Sequence, residues 1–250
     1  EMCIRDSVNL ADPRRIQFAA KYLYFSHTSI ANTSDRRFDL KLGGRFGLLH
    51  LPGNDDSEEL GWLLSLDAGF HGQFDVSASQ DNIGWDGNYA LMLSYRPHQT
   101  MAFKIGAYHI SSHVGDEYME RTGRTRINYT REELQAGMNL SLTDRWQWYI
   151  EAGRAYDQRN KQLQKPWRAQ IGLQYRSAGP QQQAWYAGLD IGAAEERDWQ
   201  KDISLQLGWQ IPTATRVWRV GLEAYDGKAQ LGEFFQDDER YLGLGLWLDV

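Results

Sequence analysis

The sequence contains no stretch of about 18 apolar residues, the length that a transmembrane helix needs. A helical membrane protein is therefore excluded. Its single cysteine, Cys3, rules out both an intrachain disulfide and a metal cluster built from several thiolates. Positive charge is also scarce, because 27 lysines and arginines stand against 33 aspartates and glutamates, for a net charge of -6. Nucleic acid is consequently not an expected partner.

The sequence is rich in aromatic residues and glycine, with 10 tryptophans, 13 tyrosines and 24 glycines. Apolar residues occupy every second position over segments of about ten residues, as where Ile203, Leu205 and Leu207 alternate with Ser204 and Gln206. This period of two is that of a β-strand with one apolar and one polar face. About twelve such segments are predicted, starting near residues 16, 37, 61, 88, 100, 128, 146, 167, 183, 199, 217 and 241.

The connections between these segments alternate in length. Those after even-numbered segments are mostly short, at 97–99, 143–145, 177–182 and 212–216. Those after odd-numbered segments are mostly long and polar, at 74–87, 111–127, 157–166 and 228–240, with 50–60 and 194–198 as exceptions. Short periplasmic turns and longer extracellular loops are typical of outer-membrane β-barrels, and an even number of strands places both ends of the domain on one side.

The two faces of the segments favour such a barrel over a soluble β-sandwich. Aromatic residues near segment ends suit an interfacial girdle: Tyr22, Trp62, Tyr89, Trp146, Trp167, Trp185, Trp199, Trp218 and Tyr241. The opposite face carries glycine and charges of both signs, which would fill a narrow lumen. We therefore predict an all-β protein, an antiparallel transmembrane β-barrel of about 12 strands in the bacterial outer membrane. Residues 15–250 form this single domain, and residues 1–14, which open with EMCIRDS and lack the alternation, are predicted to be a disordered or artefactual leader.

The stretch YHISSHVGDEY at 108–118 concentrates polar residues at the extracellular end of the fifth segment. Parity places His109 and Ser111 on the lipid-facing side, and counting backwards along the sixth segment places Asn128 on the same side. A histidine two positions from a serine on one strand lies on the same face, with Cα atoms about 7 Å apart. We predict Ser111 as a nucleophile, His109 as its base and Asn128 as the residue that orients the imidazole. The alternative is a polar rim without catalysis, because polar side chains are cheap at the interface.

The stretches ADPRRIQF at 11–18, HISSHVGDEY at 109–118 and RINYTREEL at 126–134 resemble a family of bacterial outer-membrane barrels described only as a domain of unknown function. Locally, His109-Ile-Ser111 with Asn128 is similar to the outward-facing His-x-Ser and Asn of outer-membrane phospholipase A, a twelve-stranded barrel, and lipid A deacylases use a related His-x-Ser with a carboxylate. This resemblance implies hydrolysis of acyl esters in outer-membrane lipids. Ser112 and His113 stand where the phospholipase has Asn-Gly, and the spacing to Asn128 is longer.

Asp116 and Glu117 are the candidate ligands for a cation, and calcium is the expected one because it takes oxygen ligands. The same carboxylates could instead pair with Arg121, Arg124 or Arg126. Three functions remain open on the sequence: a lipid acyl hydrolase of the phospholipase A or lipid A deacylase type, a narrow small-solute channel, and a structural or ligand-binding surface barrel.

Overall fold

The alternating segments close into one antiparallel β-barrel of twelve strands in the computed structural model, which describes residues 9–53, 60–179 and 181–249. Each strand pairs with its neighbours in the chain, and the first strand closes the barrel against the last, with Phe18 opposite Leu248. The predicted fold class is confirmed. The strands are β1 (Phe18–Thr28), β2 (Arg36–Pro52), β3 (Gly61–Asp75), β4 (Asp81–His98), β5 (Met101–Val114), β6 (Thr130–Ser141), β7 (Trp146–Gln158), β8 (Trp167–Arg176), β9 (Ala184–Ala194), β10 (Lys201–Pro212), β11 (Val217–Lys228) and β12 (Asp238–Asp249).

Helical structure is minor. The helix α1 (Asp116–Thr122) lies between β5 and β6, and single 3-10 turns occupy Glu195–Arg197 and Gly232–Phe234. No helix in the described ranges is long and apolar enough to cross a membrane.

The two rims of the barrel differ in their connections. One rim carries the connections 29–35, 76–80, 115–129, 159–166, 195–200 and 229–237. The other carries 53–60, 99–100, 142–145, 177–183 and 213–216, of which residues 54–59 and 180 lie outside the described residues. By the rule for outer-membrane barrels we name the first the extracellular rim and the second the periplasmic rim.

Three strands extend further toward the extracellular rim than the alternation predicts. β4 begins at Asp81 rather than near residue 88, β5 continues to Val114, and β12 begins at Asp238 rather than near residue 241. Outside the hydrocarbon layer the outer face of a strand need not be apolar, so hydrogen-bonded pairing continues there after the apolar pattern has ended.

The outer face carries the apolar residues and the inner face the polar ones. On β10, Leu205 and Leu207 are 50% and 56% exposed on the isolated barrel, whereas Ser204 and Gln206 are buried. The predicted girdle aromatics are exposed on the outer face, with one exception. Tyr241 was expected in the girdle but is buried in the lumen, where its hydroxyl donates to Glu223 at 2.7 Å. Its odd number puts it opposite in parity to Leu242, which faces outward.

Charged side chains of both signs pair across the lumen. Nζ of Lys21 lies 3.3 Å from Asp39 and 2.8 Å from Glu223. Asp39 also accepts a hydrogen bond from His71, whose Nε2 is 2.7 Å from Oδ2. Because these groups are removed from water, each charge depends on its partner, and loss of one partner would leave the other buried and unpaired.

The segment that precedes β1 lies inside the barrel. The sequence pattern assigned residues 1–14 to a leader outside the fold. Residues 1–8 of that leader are outside the described residues, but Asn9, Leu10 and Asp12 are buried in the lumen. Asn9 donates to Glu151 at 2.7 Å, and the backbone N–H of Leu10 donates to Gln174 at 2.9 Å. This segment is not a strand and contacts several distant strands, so its apolar residues do not alternate. The alternating pattern therefore could not predict its position in the lumen.

The extracellular end of the lumen is covered by the connection 229–237. Leu231 and Phe234 are fully buried and pack with Ile83, Val114 and Tyr118 of the barrel wall and α1. A cavity of about 970 Å³ remains in the lumen, lined in part by residues of the preceding segment, among them Asp12 and Arg15. Two separate parts of the chain therefore occupy the space that a wide pore would need.

Placing a charge on the middle of the lipid-facing surface should destabilise the barrel according to depth. We expect Leu207→Arg, near the centre of β10, to lower the free energy of unfolding in lipid vesicles by about 2–4 kcal/mol. Ile211→Arg on the same face, but near the periplasmic end of β10, should cost no more than about 1 kcal/mol. Equilibrium unfolding followed by tryptophan fluorescence measures both, and equal losses would contradict the assigned membrane position.

Candidate active site at the extracellular rim

Three polar side chains lie in one row on the outer face of β5 at its extracellular end. His109, Ser111 and His113 continue the outward parity of Phe103 and Ile105, which are exposed on the lipid-facing surface. All three are partly exposed. The sequence prediction that His109 and Ser111 share the outer face agrees with this placement, and His113 is a third member that the prediction did not include.

Ser111 is hydrogen-bonded to His113. Its Oγ lies 3.3 Å from Nε2 of His113, a distance at which the hydroxyl can donate to an unprotonated ring nitrogen. The imidazole of His113 is stacked on the indole of Trp85, the residue opposite it on β4, with ring centroids 4.3 Å apart. Gly87 lies opposite Ser111 on β4, and the ring of Trp85 extends over this glycine, because a Cβ atom on Gly87 would lie 3.5 Å from Cζ3 of Trp85.

His109 has a different partner. Its Nδ1 lies 2.5 Å from Oε1 of Glu132, the residue directly opposite on β6. Its ring is stacked on Tyr89 of β4, with centroids 4.5 Å apart, and Tyr156 of β7 donates to the other oxygen of Glu132 at 3.5 Å. Among the described residues, the hydrogen bond of Ser111 therefore runs to His113 and that of His109 to Glu132.

Asn128 lies just outside β6, in the connection from α1. Ser111 pairs with Thr130, and the N–H of Ser112 donates to the carbonyl of Tyr129 at 2.9 Å. The paired register ends at Ser111 and Thr130, before Asn128 is reached, and Glu132 is across from His109. Asn128 is exposed and has a φ of 55°, a left-handed conformation that asparagine adopts more readily than most residues.

The predicted trio is thus brought to one region but not joined as one hydrogen-bonded chain. His113 and Glu132 are the residues that the sequence prediction missed. The signal for both was present, because His113 shares the odd parity of Ser111 and Glu132 shares the even parity of the outward face of β6. Parity does not give the register between β5 and β6, and this register decides which residues of the two strands lie opposite each other.

The inner side of the same rim is firmly held. Ser112 points inward and is buried, and its Oγ accepts the N–H of Glu233 at 2.8 Å. The carboxylate of Glu233 accepts the N–H groups of Ile127 and Tyr129, at 2.8 and 2.9 Å. Burial raises the pKa of the Tyr129 hydroxyl, and the nearby Glu196 carboxylate, to which it donates at 2.9 Å, raises the pKa further. These contacts fix the backbone on which Ser111 and Asn128 stand.

The predicted cation ligands lie on the first turn of α1. Asp116 and Glu117 are both exposed, and Asp116 accepts a hydrogen bond from Arg126 at 2.6 Å, one of the arginine pairings that the sequence left open. Calcium takes six to eight oxygen ligands. Within the described ranges, no group of three or more His, Cys, Asp or Glu side chains is placed to hold a metal. Asp116 and Glu117 alone supply fewer oxygen ligands than calcium takes, and their role as calcium ligands stays a prediction.

A closed twelve-stranded barrel with an apolar outer face, a polar lumen and aromatic residues at its rims defines an integral β-barrel protein of the bacterial outer membrane. Within this class the chain belongs to the family described as Protein of unknown function (DUF1207), whose model matches residues 7–249. No curated protein matches the sequence.

Solved structures with the same fold include outer membrane phospholipase A. The chain is similar to outer membrane phospholipase A from Escherichia coli, with 13% identity, a TM-score of 0.63, and coverage of 99% of this chain and 96% of that one. It is also similar to the Salmonella typhi outer membrane phospholipase dimer with bound calcium, with 12% identity, a TM-score of 0.61, and coverage of 98% and 95%. Identities this low show a shared fold.

Proposed function

We propose that this barrel hydrolyses acyl esters of outer-membrane lipids, with Ser111 as the nucleophile. The observation that carries the proposal is the hydrogen bond between Ser111 and an imidazole on the lipid-facing surface of the wall. A serine hydroxyl is a weak nucleophile unless a base accepts its proton, and a neutral imidazole is the usual base. His109, the base predicted from the sequence, lies on the same outer face, and Asn128 is exposed in the connection that leads into β6.

The position of the row matches the position of the substrate's ester bond. Below Ser111 the outer face of β5 continues with Ile105 and Phe103, and Leu134 lies beside them on β6. Acyl chains can pack along this apolar surface while the ester group lies level with Ser111 near the extracellular rim. An ester in this position belongs to a lipid of the outer leaflet, either a phospholipid or lipid A.

The shared fold of outer membrane phospholipase A gives this proposal further support, although the sequences are only 12–13% identical. The partly occupied lumen argues against the alternative of a wide small-solute channel, because the segment before β1 and the connection 229–237 lie in the middle and at the extracellular end of the barrel and leave a cavity of about 970 Å³. A structural or surface-binding barrel would not require this pairing, because polar side chains are cheap at the interface whether or not they are paired.

Acyl release by the refolded wild-type protein tests the proposal. The protein is first shown to be folded by its heat-dependent mobility on gels, and is then incubated with phosphatidylethanolamine or with lipid A. Mass spectrometry should detect free fatty acids in amounts that increase with protein concentration, and a fluorophosphonate should label Ser111 and not Ser112. Runs with added calcium and with a chelator test the calcium prediction in the same assay. A folded protein that releases no acyl chain from either lipid and is not labelled at Ser111 would overturn the proposed function.

A further inference from the structure

Ser111 has a histidine on each side of it in the outward row of β5, so two different relays are possible. In the first, Ser111 would use His109, which is held by Glu132 at 2.5 Å. In the second it would use His113, to which its hydroxyl is already bonded at 3.3 Å. In the first relay the bond between the histidine and its carboxylate is formed. In the second relay the bond between the serine and its histidine is formed.

The bond that matters for proton transfer is the one at the nucleophile. A general base must lie within hydrogen-bond reach of the proton that it removes. His113 meets this requirement, and its ring is fixed by stacking on Trp85, with centroids 4.3 Å apart. His109 instead is hydrogen-bonded to the Glu132 carboxylate and is stacked on the ring of Tyr89.

The residues next to this relay are held by strand pairing. Ser111 pairs with Thr130, and the N–H of Ser112 donates to the carbonyl of Tyr129. The ladder ends there, before Asn128, whose backbone is left-handed and whose side chain is exposed at the rim. The second relay therefore consists of Ser111 and His113, with Trp85 holding the ring of the histidine.

We propose that His113, and not His109, is the catalytic base of Ser111. This inference rests on the proposed function and specifies its machinery. The order along the strand is then Ser-x-His, the reverse of the His-x-Ser order from which the site was first predicted. Glu132 and His109 form a separate pair beside the site.

The proposed reaction proceeds in two balanced steps. Oγ of Ser111 bonds to the carbonyl carbon as its proton moves to Nε2 of His113, and the electron pair of the C=O bond moves onto the carbonyl oxygen. That pair then returns, the ester C–O bond breaks, and the departing alkoxide takes the proton from His113. In the second step water adds to the acyl carbon while giving a proton to His113. The bond to Oγ then breaks, Ser111 recovers its proton, and the fatty acid leaves.

The two histidines can be separated by the reactivity of Ser111 itself. We expect His113→Ala to slow fluorophosphonate labelling of Ser111 and acyl release by about 100-fold or more, the usual contribution of a general base. His109→Ala, which removes the base of the first relay, should slow both rates far less than His113→Ala does. Because free imidazole can replace a missing base, adding imidazole should raise the labelling rate of His113→Ala and leave that of His109→Ala unchanged.

Trp85 gives a second measurement in case His113→Ala does not fold. Trp85→Leu removes the aromatic surface on which the His113 ring is stacked, so labelling of Ser111 should slow several-fold, and Trp85→Phe should restore most of the rate. A large loss in His109→Ala with little loss in His113→Ala would overturn the inference, as would equal losses or no loss in both. A wild-type protein that is folded but inert toward lipids and fluorophosphonate would instead show that the proposed function has failed.

Discussion

Replacing Ser111 by alanine is expected to lower acyl release by a factor on the order of 1000 or more while the barrel remains folded. The large factor follows from the role of the hydroxyl, because without Oγ no acyl-enzyme can form and only uncatalysed attack by water remains. The fold should tolerate the change, because Ser111 is partly exposed and its hydrogen bond to His113 is the bond that alanine removes. Mass-spectrometric detection of fatty acids, with gel mobility as the measure of folding, checks both parts.

Ser26 provides the matched control for that substitution. It is an exposed serine at the extracellular end of β1, and its hydroxyl donates to the carbonyl of Arg240 at 3.3 Å. Ser26→Ala should therefore release fatty acids at the wild-type rate. If Ser111→Ala is as active as Ser26→Ala, the row on β5 is a polar rim and another group must account for any hydrolysis.

Most of the barrel could be predicted from the sequence because a lipid-facing strand must alternate. Lipid lies on one side of the wall and the polar lumen on the other, so the alternation of apolar and polar residues in each segment shows which side chains face lipid. This alternation ends where the strand leaves the membrane. For that reason the extracellular ends of β4 and β12 and the lumenal position of residues 9–14 required the three-dimensional structure. The error at Tyr241 has another origin, since its type suits the girdle but its parity does not.

The sequence was sufficient to predict which face of the strand carries the candidate site, but not which side chains are hydrogen-bonded to each other. Parity alone placed His109 and Ser111 on the outer side of β5. Which histidine meets the serine depends on side-chain rotamers, and which residue faces each histidine depends on the register of β5 against β6. The count backwards ended on Asn128, which itself has a positive φ, and alternation does not apply to a residue in that conformation.

The lumen explains how the wall can hold such a site without a conventional apolar core. Glu133 on β6 is fully buried and accepts hydrogen bonds from Arg131 at 2.7 Å and Arg168 at 2.6 Å. Gly153 on β7 leaves the space for this carboxylate, because a Cβ atom there would lie 2.2 Å from Oε1 of Glu133. The charge that Glu133 supplies therefore links strands β6 and β8 through the interior.

Glu133→Gln is expected to lower the free energy of unfolding by about 3–5 kcal/mol, because it keeps the size of the side chain but leaves two buried guanidinium groups without their shared carboxylate. Asp226→Asn is the matched control: Asp226 pairs with Arg240 at 2.8 Å on the exposed surface, and losing such a pair should cost no more than about 1 kcal/mol. Urea unfolding in lipid vesicles, followed by tryptophan fluorescence, measures the difference between the two. If both variants unfold at the same urea concentration, the buried network contributes no more than a surface ion pair. The stability of the barrel would then have to come from its strand pairing and its lipid-facing surface alone.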